Sequence, residues 1–535
     1  MIRILETNLK NAMQSAARIV FLLLLCGTAS AQIYSDLYNF NLTSGDYPFF
    51  PQVMAQGRDG NLYGTTPQDG SGGGGTAFLM TPVGNITVLH NFGSDGFRPD
   101  GGLTLGLDGN FYGSTVLGGA NNIGEIFQMT PGGIVSILYS FTGGSDGGYP
   151  YASPVLGNDG NLYGVTQQAT AYKITPAGTF TVLGTIPGRS YAPLILGTDG
   201  NFYGTSQYGG TFNQGTVFRM TPTGKVTVIY NFDGTHGGVP WGGVVQAGGN
   251  FYGTTTGGGS GGGGVVYRLT PLGTFTVIHN FPVASLNDGN DPIAGLLFAT
   301  DGLFYGSAFY GGSDNYGVSF EIDATGQHYT FLDQFDKVTG SYPESNLMQH
   351  TNGSIYGMAG GGGSVGHGVF FSLDVNLGTK VKTVLSSGPV GSLVEILGSG
   401  FTGATLVKFN GVGVAPHVDS DTYLVVRVPD GASTGPVTVQ TPGGTISSMT
   451  NFLVIPRITS FSPTSGAVGT SVIISGTGFT GATRVTFGGV SATSFSVFRG
   501  DQVTATVPTG AQTGKIQITT PGGTATSSGV FTVTQ

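Results

Sequence analysis

Asp59-Gly-Asn-Leu-Tyr-Gly64 returns six more times along the chain, at residues 108–113, 159–164, 199–204, 248–253, 301–306 and 352–357. The tyrosines of the seven copies, Tyr63, Tyr112, Tyr163, Tyr203, Tyr252, Tyr305 and Tyr356, follow one another at 49, 51, 40, 49, 53 and 51 residues. That period suits a four-stranded propeller blade. The second copy shows the division of one repeat. Residues 102–107 end at Asp108-Gly109, a dipeptide that favours a two-residue hairpin turn. Residues 110–115 follow as a second strand, then a Gly-rich loop over 117–124 and a third strand over 125–130. Pro131-Gly132-Gly133 reverses the chain into a fourth strand, 134–141, and the same Thr-Pro-x-Gly turn recurs at Thr81, Thr175, Thr221 and Thr270. The expected fold is all-β, a ring of seven four-stranded blades.

The seventh repeat is incomplete. After its third strand, residues 367–373, nothing matches the fourth-strand pattern of Thr227-Val-Ile-Tyr-Asn-Phe232. Residues 32–40, reading Gln-Ile-Tyr-Ser-Asp-Leu-Tyr-Asn-Phe, do match it and precede the first repeat. The N-terminal strand is therefore expected to complete the seventh blade of a propeller spanning 32–375 and remove the free edge that would otherwise remain.

Composition narrows the class further. With 98 glycines and 9% charged residues among 535, the chain is neither a helical protein nor a charge-rich disordered one. Arg3, Lys10 and Arg18, an apolar run over 19–25 and Ala29-Ser30-Ala31 read as a secretory signal peptide over 1–31, which implies export to the cell envelope or the exterior. The mature chain would carry no transmembrane segment. Cys26, the sole cysteine, falls inside the signal, so no disulfide, thiol nucleophile or thiolate metal site is expected. Loss of three basic residues and Glu6 takes the net charge from −9 to −11. Nucleic acid is not an expected partner, since phosphate binding needs a basic patch.

The Asp-Gly-Asn-Leu-Tyr-Gly-Thr-Thr core, the Gly-Gly that follows it and the Thr-Pro-x-Gly turn resemble the Gloeobacter/Verrucomicrobia (GloVer) tandem repeat. The resemblance implies an exported bacterial protein and carries no reaction or ligand with it. Beyond Asn376 a second duplication begins: residues 398–405 and 476–483 share Gly-x-Gly-Phe-Thr-Gly-Ala-Thr at an offset of 78. Together with Ile458-Thr-Ser-Phe-Ser-Pro463, these motifs resemble the immunoglobulin-like IPT/TIG domain, which implies two β-sandwich modules over 380–455 and 456–535. The first module lacks the Ile-x-x-Phe-x-Pro opening, which leaves its first strand open.

For chemistry, His90 and His279 stand where sister blades carry Tyr139 and Tyr230, the mark of a packing position. The remaining histidines show no metal-ligand spacing. No catalytic residue, metal site or cofactor is expected, although the acidic loop from Asn287 to Asp291 is a candidate for calcium. Strand direction places the Asp-Gly and Thr-Pro-x-Gly turns on one side of the ring, and the Gly-Gly loops and inter-blade connections on the other. That second side varies between copies and carries Tyr149, Tyr151, Tyr191, Tyr208, Trp241, Tyr310 and Tyr316. Rings beside amides and hydroxyls suit a ligand with apolar faces and polar edges, such as a polysaccharide or a surface protein. The expected function is a non-catalytic surface or envelope protein binding glycan or protein through this face, with the sandwiches as spacer or adhesion units. The alternative is an extracellular propeller enzyme, a lyase or glycoside-active protein, with IPT/TIG spacers; oligomeric state is not readable.

Deleting residues 32–40 should lower the melting temperature of the whole ring. Equal melting temperatures for the full and shortened chains would show that the segment closes nothing.

Overall fold

A computed structural model describes residues 33–48, 53–283 and 288–535. Residues 1–31, expected to form a signal peptide, lie outside the described residues. The ring consists of seven four-stranded antiparallel sheets. In the second, Leu103–Leu105, Phe111–Thr115, Glu125–Met129 and Val135–Ser140 run from the axis outward. The inner strand is shorter than the sequence suggests, because the turn after it is larger. Gly106 N donates to Asn110 O at 2.8 Å, Gly109 N donates to Gly106 O at 3.1 Å, and of the Asp-Gly pair only Gly109 has a positive φ, 81°. This is a three-residue hairpin loop with a left-handed glycine, not the two-residue turn expected. The fifth blade is the exception. There Ala247 pairs with Asn250 across Gly248 and Gly249, both with positive φ, so this loop is one residue shorter and needs no aspartate.

Each part of the hexapeptide has a distinct physical task. Asp108 closes the turn: its Oδ1 accepts from Asn110 N at 3.1 Å, and its Oδ2 accepts from Asn110 Nδ2 at 2.8 Å and from Tyr112 OH at 2.7 Å. The glycine after the tyrosine lies opposite an aromatic residue of the third strand. Gly113 pairs with Phe127 and Gly306 with Phe320, and a Cβ on either would come within 2.5 Å of the ring. The tyrosine itself reaches the next blade. Tyr63 stacks on Phe111 with centroids 4.0 Å apart, Tyr163 on Phe202 at 4.2 Å, Tyr203 on Phe251 at 4.1 Å and Tyr252 on Phe304 at 4.3 Å. The apolar core is accordingly not one body but seven clusters, each shared by two neighbouring blades, and the one holding Tyr356 and Leu62 joins the last to the first.

Ring closure uses strand pairing and a loop seam together. Ile33–Asn39 lies antiparallel to Val369–Asp374 as the outer strand of the seventh sheet. Beyond it the last glycine of each Gly-rich loop packs against the proline of the following inter-blade corner. A Cβ on Gly75 would meet Pro99 Cδ at 2.8 Å, and one on Gly368 would meet Pro48 Cδ at the same distance, which extends the seam across the closure. Tyr47 N donates to His367 O at 3.3 Å, and Asp46 Oδ2 lies 2.8 Å from His367 Nδ1.

Two sandwiches follow, each of a four-stranded and a five-stranded sheet around its own core. The first strand of the first module is only Lys382–Thr383, against Arg457–Ser462 in the second. The chain ahead of and behind that short strand is engaged elsewhere, because the first module docks on the side of the ring that bears the Asp-Gly turns. Arg58 Nη2 donates to Glu395 Oε2 at 2.7 Å while its guanidinium lies 4.9 Å from the centroid of the Tyr423 ring. Thr422 Oγ1 donates to Arg58 O at 2.7 Å and Thr351 Oγ1 to Gly398 O at 2.8 Å. Lys380 Nζ donates to Gln349 Oε1 at 3.1 Å, and burial pushes the ammonium down to about 7.

Gly306→Ala should destabilise the ring by about 1–3 kcal/mol in a denaturant melt, because the new methyl has no room beside Phe320. Adding Phe320→Leu should recover part of the loss. Lys380 sheds a proton on folding between pH 7 and its ordinary 10.5, so the unfolded chain holds more protons there and stability rises with pH. From pH 7 to 9 the gain should be about 2 kcal/mol, and Lys380→Met should flatten the pH dependence of the melt over that window.

Candidate functional site

The side of the ring opposite the docked sandwich is built from repeated corners. In six of them the residue before the corner position 48, 99, 150, 240, 292 or 343, a proline in each case, has a left-handed φ between 46° and 60°: Tyr47, Arg98, Tyr149, Val239, Asp291 and Tyr342. A residue preceding proline enters that region at a cost of the order of 1–3 kcal/mol. The strain is held by a backbone bond to the preceding blade: Tyr149 N donates to Ile123 O at 2.7 Å and Val239 N to Gln214 O at 2.8 Å. Each corner thus aims the residue after the proline in a fixed direction. Among the described residues those positions are Asp100, Tyr151, Trp241, Ile293 and Glu344, and Tyr191 holds the equivalent place at the corner where Ser190 stands in for proline.

Three of these six are sequence-predicted site residues, and the structure brings them together. Tyr151 and Tyr191 have centroids 4.8 Å apart with ring planes 57° to each other, and Tyr191 and Trp241 are 4.7 Å apart at 33°. The guanidinium of Arg98 lies 5.9 Å from the Tyr151 centroid and prolongs the row by one blade. Side chains from the corners of blades two to five therefore form one continuous arc, all half-buried or partly exposed. Gln167 Nε2 donates to Tyr191 OH at 2.7 Å and fixes that ring from behind. Arg98 Nη2 also donates to Asp100 Oδ2 at 2.8 Å, and Asp100 is fully enclosed, its carboxyl raised to about 7 by burial against the pull of the guanidinium.

The other predicted rings divide. Tyr310 and Tyr316 join a second group around Tyr342: Phe309 stacks on Tyr342 at 4.7 Å, Tyr310 stands edge-on to Phe309 at 4.6 Å, and Tyr316 is 5.9 Å from Tyr342 with Lys337 Nζ 5.9 Å from its own centroid. Tyr149 is a corner residue with φ 57°, and Tyr208 is 41% exposed; neither makes a ring contact among the described residues. Sequence reasoning missed Arg98 and Phe309 as members of these groups. The signal for Arg98 lay in its place one residue before the corner proline, facing the next blade.

The titratable groups are engaged in the scaffold. His90 and Tyr139 occupy one packing position, edge-on to Phe92 at 4.8 Å and to Phe141 at 5.4 Å, with Asp95 and Asp146 taking their polar atoms at 2.8 and 2.9 Å. His350 is buried, its imidazole pKa lowered by desolvation, between Gly60 O and Asn352 N. Of the acidic loop considered for calcium, Asn287 lies outside the described residues, and burial raises the carboxyl of Asp291 to about 6. Among the described residues no three His, Cys, Asp or Glu side chains gather as a metal site, and no helix is long and apolar enough to cross a membrane.

Seven four-stranded sheets in a ring, followed by two immunoglobulin-like sandwiches, define the class as a propeller with appended all-β modules. The chain belongs to the Gloeobacter/Verrucomicrobia repeat family, which matches residues 24–173 and 166–371, and the IPT/TIG domain matches 380–454 and 456–533. Similar solved structures include SGBP-B from a complex xyloglucan utilization locus in Bacteroides uniformis (25% identity, 29% of this chain and 48% of that one, TM-score 0.16). Others are a fungal alcohol oxidase of the AA5 family in complex with copper (16%, 79% and 99%, 0.44) and the surface glycan-binding protein PbSGBP-B from Prevotella bryantii (18%, 27% and 38%, 0.22). The chain thus spans about half the length of the first of these. No curated protein matches it.

Proposed function

We propose that this chain is an exported, non-catalytic surface or envelope protein whose propeller binds polysaccharide through the face opposite the docked sandwich. The observation that carries the reading is the arc of Tyr151, Tyr191 and Trp241, three rings at 4.8 and 4.7 Å spacing on consecutive corners. Pyranose rings present apolar C–H faces that lie on aromatic surfaces, with hydroxyls at their edges. Rings tilted by 33° and 57° to one another follow a twisted chain better than a flat one. Arg98 at one end of the arc supplies donors for hydroxyl or carboxylate oxygens. Tyr149, Tyr208, Tyr310 and Tyr316, on other loops of the same side, are proposed as further contacts. The second sandwich serves as the spacer or adhesion unit.

Trp241→Ala should weaken binding to a cell-wall or plant polysaccharide by about 1 kcal/mol or more, with no change in the melt. A glycan array that gives the same profile for parent and variant would overturn the proposal.

A further inference from the structure

The axis of the ring holds a second site that the aromatic face does not use. A cavity of about 540 Å³ lies between the inner strands and the first sandwich, within the range of small-molecule sites. Leu196, Val245 and Leu296 from three blades form much of its wall, and Leu385 of the sandwich closes it. Lys382 is the sole charged residue that lines it, and no carboxylate does.

Lys382 Nζ makes no hydrogen bond or ion pair among the described residues. More than a third of its surface is exposed where it lines the cavity, and the protein packed around its stem lowers the pKa of the ammonium by desolvation. An amine that faces open space rather than packed atoms is hydrated and keeps its proton more readily than one sealed in a core, and an anion beside it would favour the charged form further. A cation set in the wall of an apolar cavity is ordinarily matched by an anion supplied by the chain itself. This chain, which carries 28 acidic residues against 19 basic ones, supplies none here.

We propose that the axial cavity binds an amphipathic carboxylate, with its carboxyl group paired to Lys382 and its apolar body against Leu196, Val245 and Leu296. One ammonium matches one singly charged head group, whereas a phosphate would call for several converging donors. The absence of any ring from the lining separates this site from the sugar-stacking arc. Asn158 and Gln246, whose side-chain oxygens accept from Ser386 and Thr198, present their amide NH2 groups as donors for the second carboxyl oxygen.

The probe is decanoate, titrated calorimetrically into the full chain, with 1-decanol and acetate as comparisons. One saturable site for decanoate is expected, with decanol and acetate each binding at least about tenfold more weakly, since a charged hydrogen bond and apolar burial must act together. Lys382→Met should reduce decanoate affinity about tenfold or more, and Val245→Phe, which fills the apolar wall and leaves the lysine in place, should do the same if Lys382→Met alters the melt. Trp241→Ala should leave decanoate binding unchanged, which keeps this result apart from that of the aromatic face. Absence of saturable decanoate binding, acetate binding as tightly as decanoate, or undiminished affinity in both cavity variants would each overturn the proposal.

Discussion

The tyrosine of each hexapeptide but the fifth is tied to its own turn, every one is packed against the next blade, and the ring depends on that double attachment. Tyr63 donates to Asp59 at 3.0 Å and stacks on Phe111 across the blade boundary at 4.0 Å. Because every apolar cluster of the ring straddles two blades, no blade buries its own core. Stability is therefore a property of the closed set, and a missing neighbour exposes half of two clusters. This is the physical reason the first strand has to come from the far end of the chain: Ile33–Asn39 restores the outer edge of the seventh sheet and with it the cluster of Tyr356, Leu62 and Phe40.

Much of this was legible in the sequence, for an identifiable reason. A repeat that must satisfy the same boundary seven times leaves the same residues at the same spacing, so the count, the strand order within a blade and the packing position of His90 and His279 could be read directly. The turn was misread because Asp-Gly suits both a two-residue and a three-residue hairpin, and only the pairing partner of the strand ahead decides between them; Ala247 pairs with Asn250, but the other blades begin one residue earlier. The arc was half legible. Tyr151, Tyr191 and Trp241 stand out as rings beside the corners, while their convergence depends on the shape of the ring, which no local pattern records.

The docking of the first sandwich was not legible at all. Arg58 and Glu395 are 337 residues apart, and each reads alone as an ordinary surface charge. Their encounter covers the side of the ring that is most regular in sequence and leaves the variable side open. It also converts a channel through the propeller into a cavity with a lysine in it, a feature that neither domain possesses by itself. The two candidate sites therefore have different origins: one comes from variation among repeats, the other from the meeting of two folds.

The closing strand also determines how the molecule would carry a load. Ile33 lies opposite Asp374, the last strand residue before the chain passes to the sandwiches. A pull between the two would open that ladder from its end, one bond after another, the weakest way to strain a pair of strands. The docked module offers a second path. Through Arg58 to Glu395 and Thr351 to Gly398, tension from the sandwiches enters the first and seventh blades side by side and bypasses the zipper. The interface thus acts as a strain relief on the one junction where the ring was assembled from both ends of its repeat.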